Sequence, residues 1–289
     1  MTQQPHLFCF GLGYTAMALA GALAERGWRV TGTCRDPSHA EAARRRGLEI
    51  VIFDRDHPIA EIDRHLADAT HLLSSVPPDE RGDPVLDLHG AAIARAAPRL
   101  QWIGYLSTTG VYGDRNGDWV DESSALTPSG ERGRRRVAAE TAWRGLPLPA
   151  HLFRLAGIYG PGRSALDTVR SGKARRVLKP GQVFSRIHRD DIVQVLLASI
   201  AQPHAGAAYN VCDDDAADPA EVISYACKLL NVAPPPAVPF AEAQLSPMAR
   251  SFYDDNKRVR NDRIKRELGV VLKYPNYRTG LNALLAAES

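Results

Sequence analysis

The first half of the chain alternates short apolar runs with segments of helical periodicity, and this alternation limits the fold more than any other feature. Residues 6–13 form a largely apolar run, 14–27 carry apolar side chains at helical spacing, and 28–35 are expected to form a second strand. A short apolar run bounded by turn residues is typical of a buried strand. Strands that alternate with helices form a parallel sheet covered on both faces. The sequence therefore predicts an α/β fold with a doubly wound parallel sheet.

The alternation continues to about residue 160 and then changes. Further strands are expected at 48–54, 69–76, 100–108 and 150–160, with helices near 38–46, 59–67, 84–97 and 134–145. Residues 161–182 are basic and loop-rich, and the proline-rich segment 233–239 is expected to be an extended connector. We expect a sheet domain of residues 1–160 plus 183–213 and a smaller C-terminal α/β lid of residues 161–182 plus 214–289.

Charge and composition argue against several classes of partner. Lys and Arg number 36 against 33 Asp and Glu, and this balance gives no basic field for nucleic acid. The sequence contains no run of 18 apolar residues, so we expect no membrane span. The N-terminus lacks the basic segment of a signal peptide. The four cysteines form no CxxC pair and no metal-ligand spacing with histidine, which indicates reduced thiols. We expect a cytoplasmic protein without a nucleic-acid, membrane or metal partner, and a homodimer is left open.

A glycine-rich turn joins the first strand to the first helix. It has the spacing GxGxxA, with Gly11, Gly13 and Ala16 at the small-residue positions. The first glycine allows the tight turn, the second lets the backbone approach a pyrophosphate, and a small third residue lets helix and strand pack closely. The spacing after a buried strand predicts a Rossmann-type dinucleotide site. Its backbone would be supplied by residues 11–15, which are Gly11, Leu12, Gly13, Tyr14 and Thr15.

The end of the second strand suggests which dinucleotide is bound. A site for NAD has an acidic side chain there to hold the ribose 2′-hydroxyl. This chain has Thr33, Cys34 and Arg35, and Asp36 has the residue type and position of a helix N-cap. An arginine suits a 2′-phosphate through forked, charge-assisted hydrogen bonds. The sequence thus favours NADP(H) over NAD(H), with a solvated surface arginine as the alternative.

Short stretches along nearly the whole chain match the motifs of one family. They are FGLGYTAMALA, YLSTTGVYGD (105–114), VDESSALTP (120–128), FRLAGIYGPG (153–162), SRIHRDDI (185–192), AYNVCDD (208–214) and KRVRNDRIKRELG (257–269). By these stretches the chain resembles the extended short-chain dehydrogenase/reductase family, in its NAD(P)-dependent epimerase/dehydratase-like branch. The resemblance implies that Asp54 accepts from the adenine amino group and that Ser74, Ser75 and Val76 line the ribose and pyrophosphate. It implies that Thr108 is the catalytic Ser/Thr.

The resemblance also assigns residues to a substrate pocket. Arg154 and Tyr159 would lead into the pocket, and His188 would lie where lid and sheet meet. Tyr112 and His188 are substitutes for a proton-transfer group, although packing roles for both are the alternative. Sites must be shown by geometry, so both interpretations stay open at this point.

The chain departs from the family at its central catalytic pair. The family pattern places Tyr and Lys four residues apart, and this chain has Arg132 and Arg136 there, with Gly133 and Glu140 keeping the register. Arg136 can still hold the nicotinamide ribose. Arg132 cannot act as an acid or base near neutrality because a guanidinium stays protonated. The chain is therefore similar to the atypical members of the family that lack the Tyr-Lys pair.

The arginine run from 132 to 136 allows three interpretations. It is a solvated helix face, a nucleic-acid contact, or a run divided by helical position. We favour the third: Arg132 and Arg136 lie on one stripe and form an anion site, with Glu131 and Glu140 as candidate counterions, and Arg134 and Arg135 face water.

These observations predict an NADP(H)-binding, epimerase-like oxidoreductase that acts on a small anionic metabolite with non-standard catalytic residues. Thr108, Arg132 and Arg136 are the expected catalytic residues. The alternative is a catalytically inactive NAD(P)-binding sensor or regulatory protein. Cofactor oxidation with a metabolite would favour the enzyme, and cofactor binding without turnover would favour the sensor.

Overall fold

The computed structural model describes residues 4–45 and 47–288. Its strands are β1 (His6–Phe10), β2 (Arg29–Cys34), β3 (Glu49–Ile52), β4 (His71–Ser74), β5 (Trp102–Thr108), β6 (Trp119–Val120), β7 (His151–Leu155), β8 (Gly157–Tyr159), β9 (Arg176–Leu178), β10 (Arg186–His188), β11 (Ala208–Val211), β12 (Ala237–Pro239) and β13 (Arg258–Val259). Its α-helices are α1 (Tyr14–Ala24), α2 (Pro37–Arg44), α3 (Ile62–Leu66), α4 (Pro84–Ala96), α5 (Glu131–Arg144), α6 (Ala165–Arg170), α7 (Arg189–Ala201), α8 (Pro219–Leu229), α9 (Pro247–Phe252), α10 (Asp262–Leu268) and α11 (Tyr277–Ala286).

A seven-stranded parallel sheet forms the centre of the fold, as the sequence predicted. Its strand order is β11-β7-β5-β4-β1-β2-β3. The chain runs outward from β1 in one direction through β2 and β3, then returns to β4 on the other side of β1. Loops after β1 and β4 therefore diverge at this switch point, and the crevice between such loops is where ligands bind in open α/β sheets.

The apolar runs that predicted the strands are buried in this sheet. All five residues of β1 are buried, and its rings Phe8 and Phe10 pack edge to face at 4.9 Å. Phe53, Tyr105 and Trp143 belong to the same cluster of buried side chains. Burial of apolar surface is the main stabilising contribution to a fold, so this cluster fixes the sheet under the loops.

The chain divides into two compact units. The first comprises the residues up to Thr108, Arg134–Arg154 and Val193–Tyr209. The second comprises Thr109–Gly133, Leu155–Ile192 and the chain from Asn210 onward. This division differs from the expected one, because residues 109–133, 155–160, 183–192 and 210–213 pack with the second unit.

The second unit contains strand pairings that the sequence patterns did not predict. Its paired strands form three two-stranded sheets, β10 with β8, β12 with β9 and β13 with β6. One expectation is corrected here, and a second is confirmed with an added strand pairing. The single strand expected at 150–160 divides at Ala156 into β7 and β8, and the segment 233–239 is extended as expected but ends in β12, where Val238 pairs with Val177.

Helix α6 lies in a segment that was expected to be loop-rich. Its N-cap Ser164 accepts from the Asp167 N–H, and the Asp167 side chain accepts from the Ser164 N–H in return. This reciprocal capping box satisfies two N–H groups that a helix start leaves without partners. A buried cluster that includes Leu166, Tyr277 and Leu281 joins α6 to α11 within the second unit.

Candidate functional site

The glycine loop after β1 is held in place by β2 and β4. Gly11 has φ +84°, and a Cβ there would lie 3.0 Å from the Ser75 Oγ. The Gly11 N–H donates to the Thr33 Oγ1 at 2.9 Å, and the Leu12 N–H donates to the Thr33 carbonyl at 2.7 Å. The Leu12 side chain covers Gly32, where a Cβ would lie 2.2 Å from Leu12 Cδ1. Contacts within the protein therefore hold the backbone of the loop in its turn conformation.

Helix α1 begins without a side-chain cap. Its N-cap Gly13 is exposed, makes no side-chain cap hydrogen bond, and would place a Cβ in open space with nothing within 4 Å. Behind it, Thr15 and Ala16 are buried, so the helix packs closely on the sheet. A helix start carries unpaired N–H groups and the positive end of the helix dipole. The start of α1 can therefore receive an anion.

The three expected residues after β4 have different surroundings. Ser74 is fully buried, and its Oγ has no hydrogen-bond partner in the described part of the chain. The Ser75 hydroxyl donates to the Gly11 carbonyl, and the Ser75 N–H donates to the Phe10 carbonyl. Val76 is half-buried beside Gly11. The β4 loop thus forms the second wall of the switch-point crevice.

The end of β2 is followed by an exposed arginine, Arg35, and by Asp36, whose side chain caps helix α2. Asp36 caps α2, as predicted, by accepting from the Ser38 N–H and Ser38 hydroxyl, both at 2.8 Å. These hydrogen bonds lower the pKa of Asp36. Arg35 is exposed and forms no ion pair with any described residue. Its guanidinium is available to a ligand, while Asp36 is engaged in its own helix.

Asp54 closes a turn after β3. Its Oδ1 accepts from the Asp56 N–H at 2.8 Å and the His57 N–H at 2.9 Å, and the His57 Nδ1 lies 2.9 Å from the same oxygen. The neighbouring Arg55 forms ion pairs with Asp79 and Asp87, which ties the loop after β4 to the end of β3. Asp54 is at the loop end where the adenine contact was expected, and its carboxylate already has local partners.

Arg136 lies at the carboxyl end of β5. Its Nη1 donates to the Tyr105 hydroxyl at 2.9 Å and to the Leu106 carbonyl at 2.7 Å. Thr108, two residues beyond Leu106, is partly exposed at the end of the strand. Burial raises the pKa of Tyr105, so that phenol stays protonated and accepts from the arginine. Of the two arginines in the catalytic positions, Arg136 is the one that contacts the sheet.

The expectation that Glu140 is a counterion of Arg132 and Arg136 is not met. Glu140 is buried and pairs with Arg154, with Arg154 Nη2 at 2.8 Å from Oε2 and Nε at 3.1 Å from Oε1. Ser107 donates to the same carboxylate at 2.6 Å. A buried carboxylate needs a paired charge, and Arg154 supplies it from the adjacent strand. Arg154 is thereby engaged inside the first unit instead of pointing into a substrate pocket.

The other arginines of the run have separate neighbours. Arg132 is exposed, with its guanidinium 5.7 Å from the centre of the Phe252 ring in the second unit. Arg134 is exposed, and Arg135 is half-buried with Glu80 at 3.9 Å. Arg132 therefore contacts an aromatic ring, while Arg136 contacts the end of β5. A shared anion site for the two arginines stays a prediction.

The two substitute proton-transfer residues are both buried in the second unit. The Tyr112 hydroxyl donates to the Asn210 Oδ1 at 2.7 Å. His188 packs on the ring of Tyr274 at 4.0 Å and edge to face on Tyr159 at 5.2 Å. Burial lowers the pKa of His188 to about 4, so it is neutral at physiological pH. These surroundings favour the packing roles that the sequence left open.

Two residues at the crevice were not singled out for their roles. Thr33 anchors the glycine loop from β2, and Tyr105 receives Arg136 on β5. A threonine within an apolar strand was the available signal for the first. For the second, strand periodicity places Tyr105 and Ser107 on one face, the face that α5 covers.

The described chain also holds no group of three metal-ligating side chains, and none of its helices has the length and apolar character to cross a membrane.

Comparison with known proteins agrees with this architecture. A conserved protein of unknown function from Silicibacter pomeroyi DSS is 55% identical, with a TM-score of 0.92 over 98% of this chain and 99% of that chain. A Methylobacillus flagellatus protein described as an NAD-dependent epimerase/dehydratase is 26% identical, with a TM-score of 0.75 over 99% of both chains. The dTDP-glucose 4,6-dehydratase of Bacillus anthracis str. Ames, solved in complex with NAD, has the same fold at 14% identity and a TM-score of 0.76, covering 98% of this chain and 96% of that one.

Among curated proteins, Protein YeeZ of Escherichia coli K12 is 29% identical over 282 residues, which covers 92% of this chain and 95% of YeeZ. No family model matches the chain. The strand order, the glycine loop and these similarities agree with one another. The chain is thus similar to a protein described as an NAD-dependent epimerase/dehydratase and has the Rossmann-type α/β fold of the epimerases and dehydratases.

Proposed function

We propose that the first unit binds a nicotinamide dinucleotide across the loops after β1 and β4, and that the chain uses it to oxidise, reduce or epimerise a small anionic metabolite. The observation that carries the proposal is the exposed, uncapped start of α1 behind a fixed glycine loop at the switch point. Backbone N–H groups and the positive dipole end there suit a pyrophosphate. The NAD complex of the Bacillus anthracis dehydratase, which has the same fold, supports this choice of ligand.

The residues present fit this cofactor. The open space in front of Gly13 leaves room for a phosphate against the backbone. The buried Ser74 hydroxyl lacks a hydrogen-bond partner among the described residues, and a buried polar group of this kind calls for one. Gly11 and Ser75 hold the loop in the required shape through direct contact. Residues 11–15 and 74–76 would therefore hold the pyrophosphate and the neighbouring ribose.

We further propose that NADP(H) is preferred to NAD(H). Arg35 at the end of β2 is exposed and without an ion-pair partner in the described chain, and Asp36 is committed to capping α2. A carboxylate that binds a 2′-hydroxyl is thus missing, and a guanidinium that suits a 2′-phosphate is present. The substrate contacts expected of Arg154 are not included in this proposal, because Glu140 holds its guanidinium.

The bound cofactor would supply a hydride acceptor or donor. Arg136 would hold the nicotinamide ribose in place of the family's lysine, and Thr108 would hydrogen-bond a substrate oxygen through its hydroxyl. Arg132 stays protonated near neutrality and cannot exchange a proton. Proton transfer then passes through Thr108 or water, and the missing general acid/base lowers the rate by about 10²–10⁴-fold. We therefore expect slow turnover and no rapid oxidation of simple secondary alcohols or UDP-sugars.

A cofactor-holding sensor is the second candidate. The observation that favours it is the state of Arg136, whose Nη1 already donates to Tyr105 and Leu106 in the described structure. A guanidinium held there stabilises the end of β5 and leaves fewer donors for a ribose. The sensor and the enzyme share the dinucleotide site and differ in turnover.

Calorimetric titration with NADPH, NADP⁺, NADH and NAD⁺ tests the proposal, followed by a turnover screen with phosphorylated and carboxylated carbonyl compounds. We expect NADPH and NADP⁺ to bind more tightly than their counterparts. Cofactor consumption that falls in the Thr108→Val variant, at unchanged cofactor affinity, would identify the enzyme. Cofactor binding without consumption would favour the sensor, and absence of binding by all four nucleotides would overturn both.

A further inference from the structure

A cavity of about 480 Å³ lies within the second unit. Its walls come from β8, β10, α8, α11 and the segment that includes α6. Three cationic side chains line it: Arg163, Lys173 and Arg186. The volume falls in the range of small-molecule sites, about 300–1,000 Å³.

The charge lining the cavity is predominantly positive. The lining includes one carboxylate, that of Asp167, and three cationic side chains. That carboxylate is used within α6, because its Oδ2 accepts from the Ser164 N–H at 2.8 Å and from the Ser164 hydroxyl at 2.6 Å. The lining of the cavity therefore carries more cationic than anionic side chains.

Arg186 is the most enclosed of the three cations. Its Nη1 donates to the Phe184 carbonyl at 2.8 Å and to the Ala217 carbonyl at 3.1 Å, which fixes the guanidinium. No described carboxylate lies within 4.0 Å of it, and the acid that acts on it most strongly is the buried Asp213. Burial raises the pKa of Asp213 well above its usual range, which favours its neutral form. A desolvated guanidinium of this kind gains from an anionic partner.

The remaining lining of the cavity includes apolar and aromatic side chains. Val222 of α8 and Leu281 of α11 are buried side chains of one core cluster, and the Tyr277 ring is part of the same cluster. The hydroxyls of Thr168 and Ser171 add hydrogen-bonding groups on the α6 side. The lining thus combines cationic and hydroxyl groups with apolar and aromatic side chains, which is the usual composition of a metabolite pocket.

We propose that this cavity binds a small phosphate monoester, with Arg186 and Lys173 at the phosphate and the body of the ligand against Val222 and Leu281. A phosphate monoester is favoured over a carboxylate because it carries the larger negative charge and the lining has more cations than carboxylates. The Arg186 guanidinium also offers a forked set of hydrogen-bond donors. The proposal stands on the second unit alone and does not depend on the cofactor site.

The test is a calorimetric titration of the full chain with phenyl phosphate, with benzoate as the carboxylate of similar body and inorganic phosphate as the head group alone. We expect phenyl phosphate to bind more tightly than either. Lys173→Glu should weaken phenyl phosphate binding by at least about tenfold, the loss expected from one charged hydrogen bond. Lys173 is exposed, so this variant should fold.

Lys228→Glu is the matched control, because Lys228 is an exposed lysine of α8 that does not line the cavity. Its affinity should stay within about twofold of the wild type, since exposed charges contribute little at a distance. Ser171→Glu, an exposed position on the lining, should weaken binding as Lys173→Glu does. No binding of phenyl phosphate, equal loss in the Lys173 and Lys228 variants, or tighter binding of benzoate would each overturn the proposal. NADPH affinity in the same samples reports separately on the cofactor site.

Discussion

Helices α1 and α4 both follow central strands of the same sheet, yet their first turns are completed in opposite ways. At α4 the N-cap Asp83 is buried and accepts from the Val85 and Leu86 N–H groups at 3.0 and 3.1 Å. At α1 the N-cap is the exposed Gly13, which supplies no cap. Every helix start needs partners for its free N–H groups. A side chain of the fold caps α4, whereas the first turn of α1 has no side-chain cap, as the proposed dinucleotide site requires.

The capped start of α4 is also connected to the end of β5 by side-chain contacts. Asp83 Oδ2 accepts from the Trp143 indole N–H at 2.9 Å, and Trp143 stacks on Tyr105 at 5.6 Å between ring centres. Tyr105 in turn accepts from Arg136. The cap of α4 therefore supports the helix that carries Arg136, while the open start of α1 faces the crevice. One helix start thus contributes to stability, and the other is the start at which we propose that the dinucleotide binds.

The largest effect is expected from Asp83→Ala. The variant loses a cap for two N–H groups and leaves the buried Trp143 indole without its acceptor, so the free energy of unfolding should fall by about 3 kcal/mol. Asp36→Ala removes an exposed cap on α2 and should cost about 1 kcal/mol. Urea unfolding followed by circular dichroism measures both. Equal losses would show that the buried indole bond adds nothing to the cap.

A smaller effect, on specificity, is expected from Arg35→Glu. The variant replaces the exposed guanidinium at the end of β2 with a carboxylate that suits a ribose hydroxyl. The preference between NADPH and NADH should shift toward NADH by about 2 kcal/mol, the contribution of a charge-assisted hydrogen bond. Competition calorimetry measures the ratio. A wild type that binds both cofactors equally would remove the basis of the prediction.

The smallest effect is expected on the stability of Gly13→Asp without cofactor. The backbone at this position is extended with φ −80°, which an aspartate N-cap adopts, and its side chain can then cap the free N–H groups. The free energy of unfolding should rise by a few tenths of a kcal/mol, about the difference between Gly and Asp at an N-cap. Thermal unfolding of both proteins checks this. A marked fall in Tm would mean that the start of α1 is more crowded than the structure shows.

The sheet was predictable from the sequence, whereas helix α6 and the strand pairings of the second unit were not. Apolar stretches marked β1 and β5 in particular, because buried parallel strands need apolar side chains on both faces. Helix α6 has six residues and one fully buried side chain, Leu166, so it has no readable periodicity. Strand β12 ends a run of prolines and pairs with β9, which lies far away in the chain. Such pairing depends on tertiary contacts that no local pattern records.

The candidate site shows the same limit at the level of side chains. The sequence located the glycine loop, the Asp36 cap and the register of α5. It did not show that Glu140 pairs with Arg154, because the pairing depends on β7 lying beside β5 in the sheet. The anchoring role of Thr33 likewise depends on β2 lying beside β1. The residue types thus predicted the positions of the site loops along the chain. The side-chain contacts at the site depend on the order of the strands in the sheet.

The most direct test of the open helix start is an NADPH titration of Gly13→Asp beside Gly21→Asp. Both variants add one carboxylate to an exposed glycine of α1, about 12 Å apart along the helix axis. The carboxylate introduced by Gly13→Asp would both cap the first turn and repel a phosphate, so NADPH binding should be lost, while Gly21→Asp should bind as the wild type does. Retained NADPH affinity in a folded Gly13→Asp protein would contradict the account, because the ligand would then not occupy the start of α1.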